Sequence, residues 1–341
     1  MPCKPLLLHP WLLLCLLGTV SGLPAANFTS EYELLRALPA GTLTALVAGG
    51  EPDDQGLVGL QKQHHTWYES GMQRGGCWYL IGAAVANDAP RAEVAWKSVA
   101  TTFAHQLEDG GFLSNPNPSR NHVQSFDERV ETAFFYLQEL GHAILVVRAS
   151  PLEPRFHDRI AALEPGIDRA CAFVQTGYAG IIRRSSKAAN RIFIAAKAFG
   201  LCGKVLNRND YIATSARLVE VALGLRDADG VFIENGGKDS SYNAVSLLMA
   251  QVLALHQPNP KLSAALDRAM LWERSRILPT GEVLVAGNTR TGLGQEKGFD
   301  GGIKKVNYHE VALALVYFSQ THGDPEALQV AEKVRLWEQR R

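Results

Sequence analysis

The sequence predicts an all-α fold in which helical hairpins are arranged as a toroid, or barrel. Apolar residues recur at the spacing of an amphipathic helix along most of the chain, and the alternation typical of strands is scarce. Short loops that contain glycine separate the helices. Three of these loops, at residues 109–112, 229–232 and 279–283, repeat a tight turn followed by a short extended piece. A repeated turn between helix pairs is what a toroid of hairpins requires.

The periodicity places each helix in turn. Several predicted helices begin with a residue that can cap their free N–H groups. These caps are Ser185 or Ser186, Asp239 or Ser240, and Asp324, which is followed by Pro325 at the first helical position. The predicted helices span residues 31–48, 76–87, 91–107, 127–148, 155–176, 186–200, 208–225, 240–256, 260–275, 305–321 and 325–338.

Length and charge exclude some classes of protein. The chain has 341 residues, with 34 Lys and Arg balanced by 34 Asp and Glu, and 46% of it is hydrophobic. This is ample material for a folded core. A net charge of zero argues against a protein that coats nucleic acid through overall basicity. It still allows a cleft that focuses charge of one sign.

The start of the chain differs from the rest. Lys4 precedes an apolar run at residues 6–17, and small residues follow the run. This is the order of a secretory signal peptide, with an apolar core that is short for a membrane span. We expect residues 1–25 to be removed, with an uncleaved anchor as the alternative. Residues 26–341 then form a single toroid domain that is secreted or periplasmic.

Three cysteines remain after this cleavage, and they are widely spaced. Cys77, Cys171 and Cys202 include no closely spaced pair. The sequence therefore indicates neither a disulfide framework nor a structural zinc site. We expect three small buried residues, with one disulfide and one free thiol as the alternative.

The segment 229–243 concentrates polar residues before an apolar helix. Its loop carries Glu234 and Asn235, and two glycines allow a sharp turn before Tyr242 enters the first helical turn. A tyrosine at such a place can point into a cleft and give or take a proton. The alternative is a surface aromatic behind an ordinary cap. The density of polar groups favours the functional interpretation.

A second polar segment, 119–129, precedes another predicted helix. His122 is a candidate acid or base, because an imidazole can give or take a proton. Asn121 and Gln124 are candidate substrate-binding residues beside it. The alternative is a polar loop leading into a capped helix, and Asp127 fits as that cap.

Two further segments supply an amide and cations. Asn190 and Arg191 open a helix with an Ala-rich surface, where an amide needs a partner or meets a substrate. Arg290 lies on a loop bounded by glycines, and its planar fork suits a carboxylate. Ordinary surface positions explain each of these residues equally well when it is taken singly. The start of the next helix adds the candidate substrate-binding residues Lys305, Tyr308 and His309.

Aromatic residues near the mature N-terminus offer a platform for sugar rings. Trp78 is the candidate of this group, which also holds Trp67, Tyr68 and Tyr79. Buried core aromatics are the alternative. The sequence contains no phosphate-binding loop, dinucleotide fingerprint, HExxH or GxSxG motif, so it signals no metal and no organic cofactor.

With these residues in view, the chain resembles the α/α-toroid polysaccharide lyases that cleave uronic-acid polymers such as glucuronan and alginate. Residues 230–242, 190–191 and 287–292 carry the likeness. In that family an Asn, often beside a His, neutralises the substrate carboxylate, and a Tyr further along the chain transfers protons. Asn190 and Tyr242 stand at a similar spacing, and Arg191 occupies the place of the His.

The resemblance implies β-elimination on a polyanionic polysaccharide without a cofactor. Asn190 and Arg290, or Arg191, hold the carboxylate and stabilise the enolate-like charge that develops beside it. Tyr242 gives a proton to the departing oxygen. The candidate bases are His122 and Tyr242 itself, with Tyr308 and His309 as second candidates.

Two other functions fit the sequence. A toroid glycoside hydrolase would use paired carboxylates, chosen from Asp109, Asp127, Glu234 and Asp239. A non-catalytic glycan-binding protein would use the same cleft without turnover. We expect neither a nucleic-acid partner nor a membrane contact after cleavage, and the oligomeric state stays open. A polyanionic ligand is favoured by the basic residues near the proposed site, which are Arg183, Arg184, Lys187, Arg191, Arg290, Lys304 and Lys305.

Overall fold

The chain folds into helices joined by short loops. The computed structural model describes residues 28–47, 50–116, 122–292, 296–297 and 302–340, and the predicted signal peptide lies outside them. Within these residues the bridges between extended segments are isolated and build no sheet, so the all-α prediction is confirmed. The helices are α1 (Glu31–Arg36), α2 (Ala40–Leu46), α3 (Gly59–His64), α4 (Arg74–Ala86), α5 (Ala89–Ala104), α6 (Phe126–Arg148), α7 (Glu153–Thr176), α8 (Tyr178–Arg184), α9 (Ala189–Val205), α10 (Asn209–Leu223), α11 (Ser240–His256), α12 (Pro260–Ser275), α13 (Tyr308–His322) and α14 (Pro325–Gln339), with a 3-10 turn at Ser70–Gln73.

Most predicted helices are confirmed, and α11 and α12 have the predicted boundaries. The predicted helix at 31–48 is wrong, because it divides into α1 and α2 at Pro39, which has no N–H to donate to a continuous helix. The sequence also did not predict α3 and α8. These helices have 6 and 7 residues, which is too short for the apolar period to repeat.

The predicted helix caps have a mixed outcome. Those of α11 and α14 are confirmed. Ser125 rather than Asp127 caps α6, because it forms a reciprocal capping box with Glu128. The predicted serine cap of α9 is also wrong. That helix begins later, at Ala189, whose N–H donates to the Ile233 carbonyl at 3.0 Å.

The described helices form five hairpins in two layers. The inner layer consists of α4, α6, α9, α11 and α13, which pack side by side in chain order. The outer layer consists of α5, α7, α10, α12 and α14, each packed on the inner helix before it. Helix α2 lies against α13, and Val47 just after it packs on Gly82 of α4. The buried apolar side chains of both layers form one continuous core, as the predicted toroid requires.

The repeated turn predicted from the sequence has the same backbone conformation at all three places. Gly110, Gly230 and Gly281 have φ angles of +87°, +87° and +92°. A Cβ on Gly281 would lie 2.1 Å from the carbonyl oxygen of Lys333 on α14, so only glycine fits. Each turn therefore packs closely on an outer helix. Antiparallel bridges close the three turns at Gln106–Phe112, Arg226–Phe232 and Ile277–Val283.

The N-terminal ends of α9, α11 and α13 lie at one end of the ring, which we call the mouth. The Asn307 N–H donates to Ser241 Oγ at 3.0 Å and joins the starts of α13 and α11. The guanidinium of Arg74 on α4 lies 5.5 Å from the ring centre of Phe135 on α6. The loops that carry the predicted site residues therefore converge on the mouth.

Helix α1 closes the opposite end of the ring through Glu31. This buried carboxylate contacts His142 Nε2 of α6 at 2.5 Å and His256 Nε2 of α11 at 3.0 Å. It also accepts a hydrogen bond from the hydroxyl of Tyr317 on α13. Burial raises the pKa of Glu31, but His142 and the hydrogen bonds outweigh burial and hold the pKa well below its usual range. Glu31 is therefore an ionised anchor between three inner helices.

Further buried charges adjoin this anchor on the inner helices α6 and α9. Glu139 Oε2 lies 3.0 Å from His142 Nδ1 and 3.0 Å from Lys197 Nζ. Burial raises the pKa of Glu139, but Lys197 and His142 prevail and bring it to about 2. We call Glu31, Glu139, His142 and Lys197 the charge cluster. The charges of the cluster balance when His142 is protonated. Burial lowers the pKa of His142, but Glu31 and Glu139 outweigh burial, and the pKa is raised above its usual value.

The three cysteines and the most apolar helix are part of the buried core. Cys77, Cys171 and Cys202 are buried and free, as expected. Among the described helices, α6 is long and apolar enough to span a membrane, and most of it is buried inside the protein. Its position in the inner layer accounts for its apolar character.

Candidate functional site

Tyr242 lies in the first turn of α11, where Asp239 fixes the start of the helix. The Asp239 carboxylate is fully buried and accepts hydrogen bonds from the backbone N–H of Tyr242 at 3.2 Å and of Arg290 at 2.8 Å. Thr291 donates to it through both its N–H and its hydroxyl, each at 2.9 Å. One buried carboxylate therefore joins two of the segments that the sequence predicted to form the site.

The ring of Tyr242 contacts two cations. The Arg290 guanidinium lies 4.3 Å from the ring centre, and the Lys304 ammonium lies 4.9 Å from it. Such contacts hold a ring in one orientation. Burial raises the pKa of the Tyr242 phenol well above its usual range, although Arg290 acts in the opposite direction. The phenol is therefore protonated at neutral pH and suited to donate a proton.

The fork of Arg290 is occupied by internal carboxylates. Its Nε and Nη2 donate to Glu296 at 2.5 and 2.9 Å, and its Nη1 donates to Glu234. The Arg290 hydrogen bonds are the main reason that the pKa of Glu296 falls to about 2. Burial raises the pKa of Glu234 more than Arg290 lowers it. A substrate carboxylate can bind this guanidinium only by displacing Glu234 or Glu296. The geometry therefore indicates that Arg290 orients the ring of Tyr242 and does not bind the substrate.

Arg290→Lys tests this arrangement. A lysine keeps the charge but cannot bridge two carboxylates with a planar fork, so we expect the free energy of unfolding to fall by about 1.5–3 kcal/mol. Urea denaturation measures the change. Arg217→Lys is the matched control, because Arg217 also lies over a tyrosine ring but is exposed. Equal losses in the two variants would contradict the assignment.

Asn190 and Arg191 occupy the first turn of α9. Asn190 is 4% exposed, and its Oδ1 accepts a hydrogen bond from the Arg191 N–H at 2.8 Å. Arg191 lies 3.4 Å from Glu131 of α6. An antiparallel bridge between Ala188 and Glu234 brings this turn beside the loop that leads to Tyr242. The structure therefore gathers Asn190, Arg191, Glu234, Tyr242 and Arg290 at the mouth.

The predicted residues before α6 have other partners. The side chain of His122 is 58% exposed, and its ring contacts the Glu128 carboxylate at 3.1 Å. Gln124 donates to Glu69. Asn121 lies outside the described residues. Among the described contacts, none brings His122 to Asn190 or Tyr242.

The described contacts join none of three more predicted residues, Asn235, Lys305 and Tyr308, to this group. Asn235 and Lys305 are exposed. Tyr308 is buried, and its hydroxyl accepts a hydrogen bond from the indole N–H of Trp337 on α14 at 3.2 Å. The phenol of Tyr308 therefore lies toward the outer layer.

The aromatic rings of Trp78 on α4 and His309 on α13 face each other inside the toroid. Their ring centres lie 6.4 Å apart, and Trp78 also contacts His142 of the charge cluster at 5.2 Å. Both side chains are half-buried. Burial lowers the pKa of His309, against the opposing charge of Glu139. This pair therefore lies between the mouth and the charge cluster, with a neutral imidazole at neutral pH.

Most of the predicted basic residues at the mouth are paired. Arg183 lies 2.9 Å from Asp127, and Arg184 lies 3.8 Å from Glu131. Glu131 also faces Arg191, and Asp127, Glu131 and Arg184 line a small hollow between α6 and α8. Internal carboxylates therefore balance part of the positive charge that the sequence suggested.

Asn243, the residue after Tyr242, is anchored by a buried acid. It donates to Glu273 Oε2 of α12 at 2.9 Å and accepts the Phe232 N–H at 3.2 Å. Burial raises the pKa of Glu273 from 4.5 to about 8. Between these pH values the folded protein keeps a proton that the unfolded chain releases. Stability therefore falls as pH rises through this range, by up to a few kcal/mol in total.

Glu273→Gln should remove this pH dependence. The amide still offers Asn243 an oxygen but cannot ionise, so we expect the variant to unfold at a higher temperature than the wild type at about pH 9. Below about pH 4.5 the two proteins should be nearly equal. Calorimetry across the pH range checks this, with the exposed Glu108→Gln as control. Parallel curves for wild type and Glu273→Gln would refute it.

Sequence reasoning missed the charged residues inside the ring. Lys197 and Glu139 lie within long apolar helices, and Arg74 and Glu310 lie in the first turns of α4 and α13. One signal was present, because the middle of α9, residues 192–203, is apolar on every face apart from Lys197. A lysine in such a helix must be buried and therefore paired.

Among the described residues, no group of His, Cys, Asp and Glu side chains is placed to hold a metal ion. No protein-family model matches the chain, and no curated protein matches it. Among solved structures, the chain is similar to one described as the crystal structure of D-mannose isomerase, at 11% identity and a TM-score of 0.47. The match covers 89% of this chain and 87% of that chain. A similarity at this level does not allow the reaction of one protein to be inferred for the other.

Proposed function

We propose that this protein is a secreted polysaccharide lyase that cleaves a polyuronate, glucuronan or alginate, by β-elimination at the mouth. The observation that carries the proposal is the protonated Tyr242, which contacts Arg290 and Lys304 beside Asn190 on the neighbouring inner helix. The chemistry of elimination needs a donor for the leaving oxygen and groups that neutralise a carboxylate. Both kinds of group belong to this site.

The mouth suits an anionic polymer. The first turns of α9, α11 and α13 lie there, and the positive ends of their helix dipoles favour negative charge. Lys187 and Lys305 add exposed positive charge to the paired arginines. A protein without net charge can focus positive potential in such a cleft.

Each residue of the site takes a role that its contacts allow. Asn190 and Arg191 hold the substrate carboxylate and stabilise the enolate-like charge. Tyr242 protonates the oxygen that leaves C4, and Arg290 holds the ring of Tyr242 in place. The exposed His122 is less suited to be the base than a group in the first turn of α13, where His309 lies.

The contacts favour elimination over hydrolysis by the carboxylates considered from the sequence. Asp109 pairs with Arg129 at 2.9 Å, and Asp127 pairs with Arg183. Asp239 is an N-cap and Glu234 binds Arg290. These acids hold the fold together, so a pair that is free to act as acid and base on a glycosidic bond is not found among them.

Incubation with a panel of polyuronates tests the proposal. We expect glucuronan or alginate to produce the near-ultraviolet absorbance of a C4–C5 double bond. The same polymer with its carboxyl groups reduced to alcohols is the matched control, and it should give no signal because its C5 proton is not acidic. Absence of the signal with every polyuronate would refute the proposed function.

A further inference from the structure

We propose that Glu310 is the general base that removes the C5 proton. This inference rests on the proposed function and adds a catalytic residue to it. Glu310 is the third residue of α13 and is half-buried, so part of the residue is still accessible to solvent. A base must meet the substrate, which distinguishes Glu310 from the fully buried Glu139.

The position of Glu310 is fixed relative to Tyr242. Asn307 caps α13 by accepting the Glu310 N–H at 3.2 Å, and its amide donates to Glu310 Oε2 at 2.6 Å. The Asn307 N–H in turn donates to the hydroxyl of Ser241, the residue before Tyr242. Tyr242 and Glu310 therefore lie in the first turns of adjacent inner helices, and the hydrogen bond between Asn307 and Ser241 joins the starts of these helices.

The charges around Glu310 match its task. Arg74 of α4, Glu139 of α6 and Lys197 of α9 act on it, and His309 precedes it on its own helix. Burial raises the pKa of Glu310 to about 7, with Arg74 opposing and Glu139 adding to the rise. A carboxylate with that pKa is a stronger base than an ordinary one and is still ionised in part at neutral pH.

His309 is the weaker candidate. Its ring faces Trp78 at 6.4 Å, and burial lowers its pKa, which reduces its strength as a base. In the reaction, the Glu310 carboxylate takes the C5 proton, and the C5–H electron pair forms the C4–C5 double bond. The C4–O4 bond breaks, and the Tyr242 hydroxyl protonates O4. Water returns the proton from Glu310 to the tyrosinate, so both groups are restored.

Glu310→Gln tests the inference, because glutamine retains the oxygen that Asn307 contacts and also suits the third position of a helix. We expect kcat on a polyuronate to fall by about 10³-fold. In the wild type, kcat should rise with pH through about 7 as Glu310 ionises, and this limb should vanish in the variant. Glu310→Asp should restore part of the rate. Glu33→Gln is the matched control, since Glu33 holds the same helical position in α1, away from the mouth.

The outcomes separate this inference from the proposed function. An active wild type whose Glu310→Gln variant keeps its rate and its pH limb would overturn the inference alone. Loss of the limb in His309→Gln instead would assign the base to His309 and overturn it as well. If Glu310→Gln does not fold, a wild-type rate that is independent of pH between about 6 and 8 contradicts it. A wild type that forms no unsaturated product refutes both proposals.

Discussion

Tyr242→Phe is expected to lower kcat on a polyuronate by about 10³-fold while the protein remains folded. The substitution removes only the hydroxyl that donates to the leaving oxygen. The ring keeps its contacts with Arg290 and Lys304, at 4.3 and 4.9 Å from the ring centre. Because binding depends on other residues, KM should change little. Steady-state kinetics measure kcat and KM, and circular dichroism checks that the variant remains folded.

Tyr211→Phe is the matched control for this experiment. Tyr242 is half-buried and Tyr211 is buried, and Tyr211 lies on the outer helix α10, where its hydroxyl donates to Asp168 at 2.9 Å. The variant loses the same atom far from the mouth, so its kcat should stay within about twofold of the wild type. A Tyr242→Phe enzyme as active as Tyr211→Phe would remove Tyr242 from the mechanism.

Lys197→Met is expected to have the largest effect on stability. Lys197 is fully buried, and its ammonium lies 3.0 Å from Glu139 and 3.3 Å from His142 Nδ1. Methionine fills similar space but leaves Glu139 as an uncompensated buried charge. We expect the free energy of unfolding to fall by about 3–5 kcal/mol, as urea denaturation will show.

The double variant Lys197→Met with Glu139→Gln identifies the cause. It removes both charges of the pair and leaves Glu31 with His142 at 2.5 Å. If an uncompensated charge is the reason for the loss, the double variant should regain much of the lost stability. A double variant less stable than Lys197→Met would show that packing around Lys197, and not charge, decides the outcome.

The helical layout was predictable because it depends on local periodicity. Helices α11 and α12 carry clear apolar faces and strong caps, and their boundaries agree with the prediction. The repeated glycine turns also follow from local chemistry. The division at Pro39 is also local and was missed, whereas the late start of α9 depends on a contact between distant segments, Ala189 with Ile233. A pattern along the chain does not contain that information.

The site was predictable only in part, for a related reason. The segments that lead into α9 and α11 contain more polar residues than a helix cap needs. This excess of polar residues identified Asn190 and Tyr242 as candidates. One partner of Arg290, Glu234, comes from a distant segment, so the pairing that holds its fork could not be predicted. Residues such as Glu310 resemble ordinary capping residues until the surrounding helices are in place.

The most direct test of the central claim is the mass of the products from a defined oligouronate. Elimination adds nothing to the substrate, so the masses of the two fragments should sum to the substrate mass, and one fragment should carry the C4–C5 double bond. Hydrolysis would add one water for each bond cleaved. We expect fragments without added water. Fragments whose summed mass includes one water would contradict β-elimination and assign the mouth to a hydrolase.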